Sequence, residues 1–239
     1  MNSVILLPGL ACDEEVFAHQ AAALRGVTQV HISDAHTRAA TLPEMAQLLL
    51  KEVLEEHPGP HGLVGVSMGG MLALELHRQA PERVRAMALL GTTARPDTPE
   101  LIQLRTQACE LFATGRMDEV LRANVLFAFH PTHQKQPGLV GRYLAMLGRA
   151  GPNQLIAQNR AVMARVDSRP HLPNISCPVL VACGETDLLT PVEVSREMVD
   201  LLPEAARAAM EIVPGAGHML TMEQPERVSA LLLRWVAGL

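Results

Sequence analysis

The stretch His61-Gly62-Leu63-Val64-Gly65-Val66-Ser67-Met68-Gly69-Gly70 leaves this chain few folds to choose from. Apolar residues run straight into a serine bracketed by glycines, and a helical pattern follows at once over residues 71–80. A buried strand that turns within two residues into a helix imposes strained backbone angles on the corner residue. The turn closes only if the residues two before and two after carry no Cβ to collide. That is the physical sense of Gly65-Val66-Ser67-Met68-Gly69, a G-x-S-x-G pentapeptide. The turn lifts the Ser67 hydroxyl above the sheet edge, where the first N–H groups of the following helix also point. Gly and Ser are common in ordinary turns, so the pentapeptide alone could be structural. The strand before it and the helix after it make Ser67 a candidate nucleophile.

The rest of the chain alternates around this turn. Residues 3–7 read as a buried strand stopped by Pro8-Gly9, residues 14–24 as a short helix and 27–32 as a second strand. Thr41 caps a helix through His57, with Glu44 three residues on as its capping-box partner and Pro43 in the first turn. Pro58-Gly59-Pro60 ends that helix, the strand 62–66 leads into Ser67, and another strand, 84–90, is closed by Gly91-Thr92-Thr93. From Ala94 the pattern changes. Between 99 and 166 only helices are legible, about four, broken at Gly115, at His130-Pro131 and at Gly151-Pro152. After Arg169-Pro170 the alternation returns: strand 179–183, helix 192–202, strand 208–213 and a closing helix over 225–236.

Apolar strands alternating with amphipathic helices predict an α/β fold, a mostly parallel sheet covered on both faces. The expected layout is a core of residues 1–93 and 171–239 with residues 94–170 inserted as a helical cap, since an all-helical insertion must pack outside the sheet. Four of the six aromatic residues, Phe112, Phe127, Phe129 and Tyr143, fall in that insertion. Facing the site, Phe127, Phe129 and Tyr143 would join Met219 in an apolar acyl pocket; facing one another, the aromatics would only hold the cap together.

Composition narrows the function classes. With 48% hydrophobic residues a sizeable core is available, yet no apolar run approaches the roughly 18 residues of a membrane span. The first eight residues are too short and uncharged for a secretory signal, and a net charge of −5 without any basic cluster argues against nucleic acid. Cys12, Cys109, Cys177 and Cys183 show neither metal nor disulfide spacing and read as reduced thiols of a cytoplasmic protein.

A serine hydroxyl needs a base, and the base needs an acid to fix its tautomer. Asp187 follows a strand in Gly184-Glu185-Thr186-Asp187, and His218 follows the next strand in Gly215-Ala216-Gly217-His218. The order Ser, Asp, His with each residue on a loop after a strand is specific, because three residue types fall on three strand ends. Glu185 is the alternative acid; the Gly-x-x-Asp pattern with Thr190-Pro191 behind it favours Asp187. His130 and His133 could suggest a metal pair, but no third ligand lies near them in the chain, so a solvated loop is the better reading and no metal is expected.

With these residues the chain resembles the α/β-hydrolase superfamily over all but the variable cap, and within it the small capped carboxylesterases and enol-lactone hydrolases. The resemblance implies an oxyanion hole built from the backbone N–H of Met68, after the nucleophile, and of Leu10 in the Pro8-Gly9-Leu10 loop, where the family often carries His-Gly. It implies a sheet trimmed to about six strands, since the family's N-terminal antiparallel hairpin has no room before Ser3. It also implies a serine hydrolase that needs no cofactor and acts on a small or medium uncharged ester, thioester or lactone. Such a protein would be a monomer or homodimer whose partner is a small-molecule ester-type substrate, with neither nucleic acid nor membrane involved. An acyltransferase or perhydrolase with the same triad, or a non-catalytic ligand-binding protein of this fold, would share these residues.

Overall fold

The structure, a computed structural model, describes residues 3–56 and 59–239. Six strands form one sheet: β1 (Ser3–Leu7), β2 (Gln29–Ile32), β3 (His61–Val66), β4 (Val84–Leu90), β5 (Val179–Gly184) and β6 (Arg207–Val213). Their order is β2-β1-β3-β4-β5-β6, and all five pairings are parallel. The chain first adds β2 on one side of β1, then crosses to add β3 on the other. The carboxyl ends of β1 and β3 therefore flank a topological switch point, where open α/β sheets leave a crevice for ligands.

Because side chains alternate along a strand, each strand feeds two cores. Val4, Leu6, Val64, Val66, Ala86, Ala88, Leu90, Leu180 and Ala182 face one side and pack against α1 (Ala18–Leu24) and α9 (Pro225–Ala237). Ile5, Leu7, Leu63, Met87, Leu89, Val179 and Val181 face the other and pack against α2 (Leu42–Glu56), α3 (Met68–Gln79) and α7 (Val192–Leu201). The capping box expected at Thr41 is present: the Glu44 N–H donates to Thr41 Oγ1 at 3.3 Å, and the Thr41 N–H donates to Glu44 Oε2 at 3.1 Å. The end expected for this helix at His57 lies outside the described residues.

The helix expected over 71–80 already begins at Met68, directly after the serine, and two other boundaries differ from expectation for a local reason. The second strand begins at Gln29 rather than at 27, because the N–H groups of Val27 and Thr28 both donate to Leu24 O and finish α1 instead. The helix read over 14–24 opens as a 3-10 turn, Glu14–Phe17, whose Glu15 N–H is capped by the Asp13 carboxylate.

Between β4 and β5 lie α4 (Pro99–Ala113), α5 (Met117–Ala128) and α6 (Pro137–Met163). Gly115, at φ 80°, separates the first two, and Gly151, at φ 71° and ψ 169° just before Pro152, breaks α6 into two helical pieces. Four helical lengths result, divided where Gly and Pro predicted. The two ends of the insertion are fastened together. Buried Asp97 accepts from Arg105 and from Arg165, each at 2.7 Å, and the Ser168 N–H donates to Ala94 O at 2.9 Å. Phe112, Leu121, Val125, Phe129, Tyr143, Met146, Leu147 and Leu155 continue the core on the β4-to-β5 insertion's inner side. No helix among the described residues is long and apolar enough to cross a membrane.

Candidate active site

Ser67 stands at the corner between β3 and α3 with φ 54° and ψ −118°, one of two non-glycine residues with positive φ among those described. The close approach that permits this is measurable. A Cβ on Gly65 would lie 2.3 Å from Gly69 O, and a Cβ on Gly69 would lie 1.9 Å from Leu7 O. The corner is fixed by the Ser67 N–H donating to Leu90 O at 2.9 Å and by Thr92 Oγ1 donating to Ser67 O at 2.6 Å. Met68 opens α3, so its N–H has no acceptor within the helix.

His218 follows β6 and Asp187 follows β5, and the structure brings both to Ser67. His218 Nε2 lies 3.0 Å from Ser67 Oγ, and His218 Nδ1 lies 2.9 Å from Asp187 Oδ2 and 3.1 Å from Oδ1. A carboxylate can only accept, so Nδ1 carries the hydrogen and Nε2 is left to accept the Ser67 hydroxyl proton. Asp187 is buried, and its oxygens also accept from the Leu189 N–H, the Thr190 N–H and the Thr190 hydroxyl at 2.8–2.9 Å. Burial pushes its pKa up, but the His218 charge and hydrogen bond, with the donors of Thr190, outweigh that and hold it below the ordinary carboxylate value. Glu185, the alternative acid, is exposed and instead accepts from the Gly215 N–H at 3.0 Å, bracing the loop before His218.

Leu10 lies in the loop leaving β1, and the residue before it is packed on the serine: a Cβ on Gly9 would sit 3.3 Å from Ser67 Cβ. The neighbouring amides are engaged, Ala11 N–H with Gln158 and Cys12 N–H with Gly9 O, whereas none of the described groups accepts from the Leu10 N–H. Leu10 thus follows the glycine packed on Ser67 and Met68 follows Ser67 itself in the chain. The Cys12 thiol beside them is pushed up to about 12, chiefly by burial and further by Asp13, so it stays protonated and unreactive. All four cysteines are free.

The four residues expected to form a pocket fall in different places. Phe127 is 51% exposed at the end of α5. Phe129 and Tyr143 are buried, meet edge to face at 5.0 Å, and share the core that joins the insertion to the sheet; the Tyr143 hydroxyl accepts from Asn124 at 2.7 Å. Met219 is buried beside His218, and its N–H donates to Ala128 O at 3.1 Å, tying the histidine loop to α5.

Sequence reasoning missed Glu223, in the one-turn helix α8 (Leu220–Glu223). Its carboxylate is buried and accepts from the Gly217 N–H, the His130 N–H and His133 Nδ1 at 2.7, 2.7 and 3.0 Å. The His130-His133 turn is therefore not simply a solvated loop; it is anchored through Glu223 to the residue preceding His218. Among the described residues no group of three or more His, Cys, Asp and Glu side chains is arranged to hold a metal ion.

A parallel sheet that raises a strained serine at one strand end, and faces it with a histidine and a buried aspartate from two others, is the architecture of the α/β hydrolases. The model of the α/β-hydrolase fold family matches residues 4–225. The chain belongs to that family. It is 30% identical, over 90% of its length and 80% of the relative's, to a Mycobacterium tuberculosis protein that carries the name non-heme bromoperoxidase BpoC. Among solved structures it resembles a thermophilic esterase from Thermogutta terrifontis, with a TM-score of 0.90 at 26% identity, covering 100% of this chain and 90% of that one. It also shares the fold of the enol-lactonase from Burkholderia xenovorans LB400, with a TM-score of 0.86 at 21% identity, covering 99% and 91%.

Proposed function

We propose that this protein is a serine hydrolase that cleaves a small or medium uncharged carboxylic ester, thioester or lactone through an acyl-enzyme. The observation that carries this reading is the unbroken chain from Ser67 Oγ to His218 Nε2 and from His218 Nδ1 to the buried Asp187 carboxylate. Ser67 Oγ adds to the substrate carbonyl carbon while His218 Nε2 takes the hydroxyl proton. The oxygen that becomes negative is placed at the N–H groups of Leu10 and Met68. When the tetrahedral adduct collapses, the bond to the leaving oxygen or sulfur breaks and His218 returns the proton to it. Water, deprotonated by the same histidine, then attacks the acyl carbon; the bond to Ser67 Oγ breaks, His218 returns the proton to Oγ, and the carboxylic acid leaves. Asp187, ionised through its low pKa, keeps Nδ1 protonated throughout and balances the imidazolium.

The names borne by the structural neighbours, an esterase and an enol-lactonase, agree with ester-like substrates. In this reading residues 94–170 act as the cap. Buried Phe129 and Tyr143 of the cap, with Met219 of the histidine loop, are its candidates for the acyl-pocket wall, and exposed Phe127 lies outside the pocket.

The test is a set of three variants, Ser67→Ala, His218→Ala and the double variant, assayed on a short-chain p-nitrophenyl ester. Residues that act as one unit lose most of kcat singly and little more together. Losses that multiply in the double variant contradict the mechanism.

A further inference from the structure

The loop that presents Leu10 is a β-turn, Gly9-Leu10-Ala11-Cys12, closed by the Cys12 N–H donating to Gly9 O at 3.1 Å. Its third residue, Ala11, has φ 58°, and Leu10 is not among the described residues with positive φ. That combination is a type II turn, whose third position ordinarily calls for glycine. Here an alanine occupies it, buried and without polar side-chain atoms of its own, in a left-handed conformation that a Cβ disfavours. Turning over the Leu10–Ala11 peptide would convert the turn to type I and relieve Ala11. The same rotation would reverse the Leu10 carbonyl dipole right next to the Leu10 N–H.

What opposes that rotation comes from the inserted helices. Gln158 of α6 is 1% exposed. Its Oε1 accepts from the Ala11 N–H at 2.6 Å, and its Nε2 donates to His36 O at 2.9 Å. The orientation of the amide is settled by its partners, since an N–H needs an acceptor and a carbonyl needs a donor. His36 closes the circuit: its Nε2 donates to Cys12 O at 2.8 Å, and burial lowers its pKa, keeping the ring neutral. Gln154 adds a second, longer donor to His36 O at 3.3 Å. The turn is thus gripped at both residues that follow Leu10, at Ala11 by Gln158 and at Cys12 by His36.

We propose that Gln158 is a positioning residue for the oxyanion loop: a side chain of the cap that holds the Leu10 turn in its strained, donor-presenting form. The proposal rests on the serine-hydrolase reading above. It changes the part played by the insertion, which otherwise would only select substrates. Gln158 touches no reacting atom and acts through the Leu10–Ala11 peptide.

The experiment compares Gln158→Leu, Ala11→Gly and the double variant with the parent enzyme. Gln158→Leu is expected to lower kcat on the order of 10- to 100-fold with KM little changed. Affinity for an aryl trifluoromethyl ketone, which forms a hemiketal with Ser67 and places an oxyanion in the same site, should fall by the same factor. Binding of the corresponding alcohol, which has no oxyanion, should not. Ala11→Gly in the Gln158→Leu background should restore most of kcat, because glycine holds positive φ without strain. A general loss of structure would not be cured by deleting one methyl group. If Gln158→Leu does not fold, Gln158→Met, closer in shape, takes its place. A folded variant with parental kcat and ketone affinity overturns the proposal, as does a loss that Ala11→Gly leaves untouched. Ser67→Ala run in parallel separates the two levels: retained activity there would sink the hydrolase reading itself, whereas its loss beside an unaffected Gln158 variant removes only the role of Gln158.

Discussion

Gly69→Ala tests how tightly the serine turn and the oxyanion loop are built against each other. The added Cβ would meet Leu7 O at 1.9 Å, Leu7 C at 2.6 Å and Pro8 O at 2.8 Å, and all three are backbone atoms without rotamers to escape into. Reaching even 3.0 Å, the distance below which real Cβ contacts essentially never fall, requires the end of β1 and the head of α3 to part by more than an ångström. Leu10 is three residues past Leu7, and Met68 immediately precedes Gly69. The separation therefore widens the gap between the two proposed oxyanion donors. Overpacking of this kind costs about 1–3 kcal/mol of stability, and for a domain of this size each kcal/mol lowers Tm by about 2–4 °C. Misplacement by about 1 Å costs on the order of 100-fold in rate. The assay is steady-state hydrolysis of a short p-nitrophenyl ester beside a thermal melt. The expected result is a folded protein with Tm down by several degrees, kcat down about 100-fold and KM changed far less. Gly148→Ala is the control. Nothing lies within 4 Å of its added Cβ on an exposed face of α6, so it should gain about 0.5–1 kcal/mol and keep full activity. A Gly69→Ala enzyme within about threefold of parental kcat would refute the claim that this contact sets the donor geometry.

Two further outcomes follow from the same contacts. The folded-state pKa of Asp187 lies below its unfolded value of about 3.9, so its contribution to stability is complete above that value and is lost as pH falls through the folded one. Urea midpoints between pH 6 and pH 3 should therefore fall more steeply for the parent than for Asp187→Asn, and parallel curves would contradict the buried pairing. If the inserted helices form the proposed acyl pocket, kcat/KM should climb by up to about fourfold per methylene of acyl chain and then break. Phe129→Ala should move the break while Phe127→Ala, exposed at the end of α5, leaves it in place; an unmoved break in both, on folded variants, excludes Phe129 from the pocket.

The parts of this molecule that were legible in the sequence are those governed by local rules. Four of the six strands announced themselves as apolar runs closed by Gly or Pro, the kink at Gly151 by its Gly-Pro pair, and the helix after Thr41 by a capping box whose two bonds are present. Ser67, Asp187 and His218 could be chosen because each follows a strand, and a parallel sheet brings strand ends together whatever their separation in the chain. What the sequence concealed depends on long-range packing. Gln158 looks like any polar residue on an amphipathic helix, and nothing local tells that it reaches Ala11, 147 positions earlier. Glu223 is hidden for the same reason: its partners at 130 and 133 lie in the insertion, about 90 residues away. Ala11 carries no signal at all, since the positive φ that sequence rules assign to glycine is here held by a side chain from another element. The aromatic residues of the insertion were ambiguous because periodicity places a side chain on a helix face without saying what that face meets. Phe129 and Tyr143 met each other and the core, whereas Phe127 met solvent.

The central claim is that the Ser67 hydroxyl, activated by His218 and Asp187, is the nucleophile. Treating the folded enzyme with a fluorophosphonate and mapping the adduct by peptide mass spectrometry tests it most directly. The account predicts one phosphonylated peptide, the one containing Ser67, formed in step with the loss of esterase activity and absent from His218→Ala over the same time. An adduct on any other residue that tracks the inactivation, or an enzyme that stays active while Ser67 is fully modified, would contradict it.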